Sequence, residues 1–302
     1  GGNSLVNVTC LAYRLFSKKT EPRTSGTTMK KRSRFIFSAL CFGFAFLYVP
    51  ILLVIIYSFN DSRLVTIWGG WSIRWYIELF NNDNILDAAL LSLRIAMVSA
   101  TCATIMGTLA GIALTRIRQF KGRLLFTGMI ISPLVMPEVI TGLSLLLLFV
   151  SLQNLIGWPG QRGINTITIA HITFSMAYVA VIIQSRLTNI NESIEEAALD
   201  LGARPIRVLW DITLPIILPA MISGWLLSFT LSLDDLVIAS FVSGPGATTL
   251  PMLIFSKVRL GIAPDINALA TILITIVAIG VSIAGWVMHQ QSKAKKREFL
   301  VK

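Results

Sequence analysis

Six stretches, at about 35–58, 88–115, 124–152, 164–185, 216–242 and 265–288, are apolar almost throughout. Roughly 20 residues rising 1.5 Å apiece are enough to cross the hydrocarbon core of a bilayer. Lipid offers the backbone no hydrogen-bond partner, so each stretch is constrained to be a helix. The expected fold class is an all-α membrane protein with six transmembrane helices. Composition agrees: 54% of the 302 residues are hydrophobic and only 14% charged, where a soluble domain carries about a quarter. Several stretches exceed the minimum length, which permits tilt or kinks. Pro133 and Pro137 are expected to kink the third span and Pro50 the first, because proline removes a backbone donor.

Basic residues set the direction. Segments 1–34, 116–123, 186–215 and 289–302 hold eight, four, three and five Lys and Arg; the intervening segments 59–85, 153–163 and 243–264 hold two, one and two. Positive loops stay in the cytoplasm, so both termini are expected inside. The net charge of +11 follows from these loops, and with no basic-aromatic patch it does not point to nucleic acid. Trp68, Trp71 and Trp75 in the first outer segment suit an interfacial belt. There "WSIRWYIELF" (71–80) fits a short amphipathic helix on the outer surface. Residues 1–28 mix Ser, Thr, Lys and Arg without period and read as an extension ahead of the domain, which spans 29–302. A cleaved signal peptide is the rival reading, but the apolar run is too long and no A-x-A site follows it. Cys10, Cys41 and Cys102 have no metal spacing.

One inner loop, 187–215, is too well built for a mere connection. Glu192, Glu195, Glu196, Asp200 and Asp211 crowd into it. Ser193 and Glu196 have capping-box spacing, and Gly202 suits the left-handed residue that closes a helix. The resulting helix, 194–201, is about 12 Å long, with Ala197 and Ala198 leaving its flank thin. Pro205 can open a second short helix, while Pro215 and Pro219 shape the start of span five. On these grounds alone a solvated, capped loop helix explains the pattern as well as a functional one.

The spacing Glu196-Ala197-Ala198, three residues, Gly202, nine residues, Ile212-x-Leu214-Pro215 resembles the EAA loop of permease subunits of ATP-binding-cassette importers. The resemblance covers roughly 35–290 and implies a type I (MetI-like) permease fold. It also implies that the loop helix docks in a groove of the ATPase subunit and passes its closure to the spans. Glu195, Glu196, Ala197, Ala198, Asp200, Gly202, Ile212, Leu214 and Pro215 are the implied coupling residues, with Glu196 either capping the helix or touching the partner. "SLDDLVIASFVSGPGATTLPMLIFSKVR" (232–259) and "SPLVMPEVITGLSLLLLFV" (132–150) further resemble the putrescine and spermidine permease subfamily. The partners this implies are a second homologous permease, two ATPase subunits and a periplasmic polyamine-binding protein, which "SGPGATTLP" (243–251) would meet outside. No G-x-x-x-x-G-K-[ST] sequence occurs. The chain is therefore expected not to be an enzyme, with no cofactor of its own and with ATP and Mg held by a partner subunit.

Three acids fall inside spans, where each costs about 2.5–3.5 kcal/mol: Glu138, Asp234 and Asp235. Glu138 replaces the Asp expected in the putrescine subfamily. Asp235 falls on a small, polar stripe, Gly224, Ser228, Ser232, Asp235, Ala239 and Ser243, and so is expected with Glu138 to line a solute route. Asp234, beside Thr230, divides equally between such a route and a packing hydrogen bond. Acids along a route suit a cationic solute. Arg94 is expected to snorkel outward or pair with Asp87, and His171 to make a packing hydrogen bond. Ala96, Ala100, Ala103, Gly107 and Gly111 form a close-packing face. An importer for another solute, such as thiosulfate, phosphonate or ferric iron, is the alternative. A secondary transporter would show inverted repeats with broken half-helices and an ion site, and no convincing repeat is found.

Overall fold

The computed structural model describes residues 26–63, 67–117, 119–260, 264–279 and 282, with side chains from residue 35 onward. Among these the secondary structure is helical, apart from one isolated bridge between Asn60 and Trp71. The helices are α1 (Gly26–Tyr57), α2 (Arg74–Phe80), α3 (Asp83–Arg116), α4 (Arg123–Val135), α5 (Glu138–Ile156) and α6 (Ile164–Thr188). There follow α7 (Ser193–Asp200), α8 (Pro205–Val208), a π-helical turn (Leu209–Thr213), α9 (Leu214–Asp234), α10 (Val237–Val242), α11 (Leu250–Leu260) and α12 (Pro264–Ile279).

Among the described residues five helical segments are long and apolar enough to cross a membrane: Phe35–Tyr57, α3, α5, α6 and Pro205–Asp234. The sixth expected span begins with α12. The rest of it, except Ser282, lies outside the described residues, as do residues 1–25 of the expected N-terminal extension. The chain divides into two compact units after Val54. The first holds α1 up to that point, a helix apolar on every face from Phe35 to Val54 and so suited to lipid.

In the second unit α3 and α6 pack along their length, and α9 packs against both. The small-residue face explains how. Ala96, Ala100 and Ala103 are fully buried. A Cβ on Gly107 would lie 2.7 Å from Val179 Cβ, and one on Gly111 would lie 2.9 Å from Ile183 Cγ2. Backbones this close gain dispersion contacts that lipid cannot match. At the end of α1, Trp75 and Leu79 of α2 are buried, with Trp75 Nε1 donating to the Asn60 carbonyl at 2.6 Å. The expected surface helix is thus a folded cap over the span ends.

Two spans expected to be continuous are broken. In the third, Pro133 is accommodated within α4, but Pro137 ends it. A proline disfavours the helical region for the residue before it, and Met136 turns extended with ψ 138°. The result is two helices rather than a kink. In the fifth, Asp235 takes ψ 119° and α9 stops. Its carboxylate then accepts the amides of Ile238 at 3.2 Å and Ala239 at 2.7 Å, standing in for backbone acceptors. The stripe expected from Gly224 to Ser243 is therefore one helical face only as far as Ser232.

Candidate functional site

The loop helix α7 carries local signals at both ends, and its carboxyl end matches expectation. Gly202 has φ +85°. Its amide bonds the Leu199 carbonyl at 2.9 Å, and that of Ala203 bonds the Ala198 carbonyl at 3.1 Å. These two bonds make a Schellman motif, which satisfies carbonyls left over at a helix end.

The amino end departs from the capping box. Glu192 already has helical angles, so Ser193 is the first residue inside the helix and its hydroxyl caps nothing. Asn191 Oδ1 accepts the Ser193 amide instead, at 3.2 Å. Glu196 is released from capping and stands exposed, as do Ala197, Asp200 and Leu201; Ala198 is half-buried. Among the described residues Glu196 makes no hydrogen bond or ion pair beyond its own backbone.

Downstream, Pro205 opens α8 as expected, after an extended Arg204. The π turn then adds a residue to the helical repeat before Pro215 enters the first turn of α9. Ile212 is half-buried, and Leu214 packs on the cluster of Val179, Ile183, Leu187 and Ile217. Leu201 and Trp210 are 89% and 63% exposed, a large apolar surface for a loop outside the spans.

Glu195 does something the sequence did not disclose. Arg116, the last residue of α3, donates Nε to Glu195 Oε2 at 2.7 Å and Nη2 to Oε1 at 3.1 Å. Thr213 of the π turn donates its hydroxyl to the same Oε1 at 3.0 Å. Arg116 Nη1 also reaches the Leu187 carbonyl at the end of α6, at 3.5 Å. The two ionic side chains are 16% and 14% exposed. Their partnership bridges 79 positions, and no local pattern encodes it.

The two intramembrane aspartates are placed differently. Asp235 is buried: besides the two amides it caps, its Oδ2 lies 3.1 Å from His171 Nε2. His171 Nδ1 in turn meets Ser232 Oγ at 2.6 Å, and Ser99 Oγ donates to Ser232 Oγ at 3.0 Å. Asp235, expected to line a route, is a member of a buried network tying α3, α6 and α9 around the break, in which His171 makes the packing hydrogen bonds expected of it. Asp234 is exposed and, among the described residues, its side chain has no hydrogen bond or ion pair with another residue. Thr230 bonds its own helix carbonyls, Leu226 and Leu227, rather than Asp234.

Glu138 is likewise exposed and unpaired, in the first turn of α5, where the helix dipole favours its charge. Gly142, one turn on, fixes the register of α5 against α10: a Cβ there would lie 2.8 Å from Phe241 Cδ2 and 3.4 Å from Ile238 Cα. Glu138 and Asp234 thus stand one at each of the two helix breaks. Arg94 is exposed and lines a cavity of about 350 Å³ with Gln161, Asn165 and Gly246; it makes no ion pair with Asp87. Among the described residues no group of three His, Cys, Asp or Glu could hold a metal ion.

Residues 103–297 match the family described as "Binding-protein-dependent transport system inner membrane component". The putrescine transport system permease protein PotI of Escherichia coli K12 is 60% identical over 259 residues, 86% of this chain and 92% of that protein. The spermidine/putrescine transport system permease protein PotC of the same strain is 42% identical over 250 residues, 83% and 92% of the two chains. PotC of Haemophilus influenzae is 45% identical over 77% of this chain and 88% of its own length. Among solved structures, a chain of a bacterial ABC transporter that imports alginate superposes with TM-score 0.65 at 16% identity, covering 84% of this chain and 95% of that one. At that identity the likeness concerns the fold.

Proposed function

The chain belongs to the family of binding-protein-dependent transport system inner membrane components, as a multi-pass inner-membrane protein, and from this premise we propose that it is the permease subunit of an ATP-driven polyamine importer, with putrescine its foremost solute. It works beside a second, homologous permease, two ATPase subunits that hold ATP and Mg, and a periplasmic polyamine-binding protein. Both termini and α7 face the cytoplasm, following the basic loops.

The observation that carries this reading is α7 itself. Its termination is fixed by Gly202, its face of Glu196, Ala197 and Leu201 is open, and its inner side is bonded to the ends of two spans. A short rigid rod so presented fits a socket on a partner. ATPase closure moves the rod, the spans rearrange between outward- and inward-open states, and solute passes by alternating access.

Glu138 and Asp234 are the route carboxylates in this reading. Each stands unpaired at a helix break, and an unpaired acid at membrane depth is costly unless a cavity or a cation meets it. Two such carboxylates suit a solute with an ammonium at each end. Both the polyamine named for the relatives and this pair of charges support the same solute class.

The test reconstitutes the chain with its partner subunits and measures ATP hydrolysis stimulated by binding protein loaded with putrescine, spermidine or cadaverine. Strongest stimulation by the putrescine-loaded form is expected. Equal stimulation by an anion-loaded binding protein of the same family would overturn the solute assignment.

A further inference from the structure

A rod transmits displacement only if something fixes its pose against the part it moves, and α7 lacks the usual means. None of its residues is buried. A cavity of about 350 Å³ lies beside it, with Ile112, Arg116, Glu195 and Leu199 among its lining residues. No apolar interface therefore sets its orientation. The connections at 189–192 and 201–204 are short turns outside the regular helices.

Charge sets the orientation instead: Glu192 Oε1 lies 3.6 Å from Arg116 Nη1, and the closer contacts belong to the carboxylate of Glu195. It takes three donors: the fork of Arg116 from α3 and the hydroxyl of Thr213 from the base of α9. A bidentate guanidinium-carboxylate pair fixes direction as well as distance, and partial burial of both groups limits screening by water. The π turn belongs to the same device. Without its extra residue the helix would turn Thr213 about 100° away, so the bulge is what aims the hydroxyl at Glu195.

We propose that the joint of Arg116, Glu195 and Thr213 is the point through which displacement of α7 reaches the membrane helices, with Glu195 and Arg116 as positioning residues for transport. The joint grips α3 and α9, and both pack along α6. α9 leads to the break at which Asp234 stands. Displacing one carboxylate therefore moves the two helices whose rearrangement opens and closes the route. This rests on the importer reading above.

The test uses the assembled complex in proteoliposomes and records putrescine uptake, binding-protein-stimulated ATP hydrolysis and complex yield together. Glu195→Gln keeps size but loses charge, Arg116→Lys keeps charge but loses the fork, and Thr213→Val removes one donor. Uptake is expected to fall on the order of tenfold for the first two and less for the third, the range of ordinary coupling free energies. ATP hydrolysis falls far less, so more ATP is consumed per solute. Exchanging the pair, Arg116→Glu with Glu195→Arg, restores part of the uptake.

Uptake unchanged in Glu195→Gln and Arg116→Lys would overturn the proposal. So would uptake, hydrolysis and complex yield falling in equal proportion without recovery in the exchanged pair, since that is the pattern of a fold anchor. A wild-type complex without ATP-dependent uptake would instead overturn the importer reading on which the proposal rests.

Discussion

Gly202 offers the sharpest separation of conformation from contact. Its φ of +85° lies where an L side chain is strained, yet a Cβ built there meets nothing within 4 Å. Any loss on substitution within this chain is therefore conformational. Holding a residue with a Cβ in the left-handed region costs about 1–2 kcal/mol, more for a β-branched one, while Asn tolerates it best. If α7 escapes the strain by unwinding its last turn, it forfeits the two Schellman bonds, about 0.5–1.5 kcal/mol each.

An eight-residue helix with no buried residue has no reserve against such a cost. A deficit of one or two kcal/mol cuts the fraction of correctly ended rods about 5- to 30-fold. Putrescine uptake in proteoliposomes is expected to decline in the order Gly, Asn, Ala, Val, with Gly202→Val near background and insertion intact. Wild-type uptake by Gly202→Val would refute the lever. Equal loss in Asn and Val would refute the conformational argument and locate the effect in a partner surface pressed against the glycine.

The neighbouring aspartates should separate by assay. Asp234→Asn is expected to lower polyamine uptake at least severalfold with little change in thermal stability. Asp235→Ala strands two amides and His171, and should lower stability by about 1–3 kcal/mol with reduced recovery of folded protein. Glu138→Gln should raise the solute concentration for half-maximal uptake, while Glu138→Asp retains function; identical kinetics for Gln and wild type would remove Glu138 from the route. Gly107→Leu should abolish folded protein in detergent, because its first added carbon already collides with Val179 and the Met176 carbonyl.

Several features were legible because their signals are local. The spans follow from length and apolarity, the α3 face from small residues four apart, and the end of α7 from a single glycine. Pro137 announced an interruption, though the severity of the break came from the residue before it. What the sequence concealed were pairings over distance. Asp234 and Asp235 are chemically identical neighbours, and the choice between them was made by His171, 64 positions away. Continuing the helix through Asp235 was the natural expectation because nothing nearby showed that its carboxylate would replace a backbone acceptor. The Ser193–Glu196 capping box failed at smaller scale: Glu192 took helical angles, Ser193 fell inside the helix, and Asn191, two residues upstream, accepts its amide. Arg116 looked like one more positive charge in an inner loop until folding brought Glu195 to it.

The central claim is that α7 sits in another subunit. Ala197→Cys, in a chain with Cys10, Cys41 and Cys102 replaced, puts one thiol on the open face of the rod. Treatment of the assembled complex with a short bifunctional reagent should then yield a single adduct with the ATP-hydrolysing subunit and block uptake. A complex that takes up putrescine at full rate, yet forms no adduct at residue 197 with that subunit, would contradict the account.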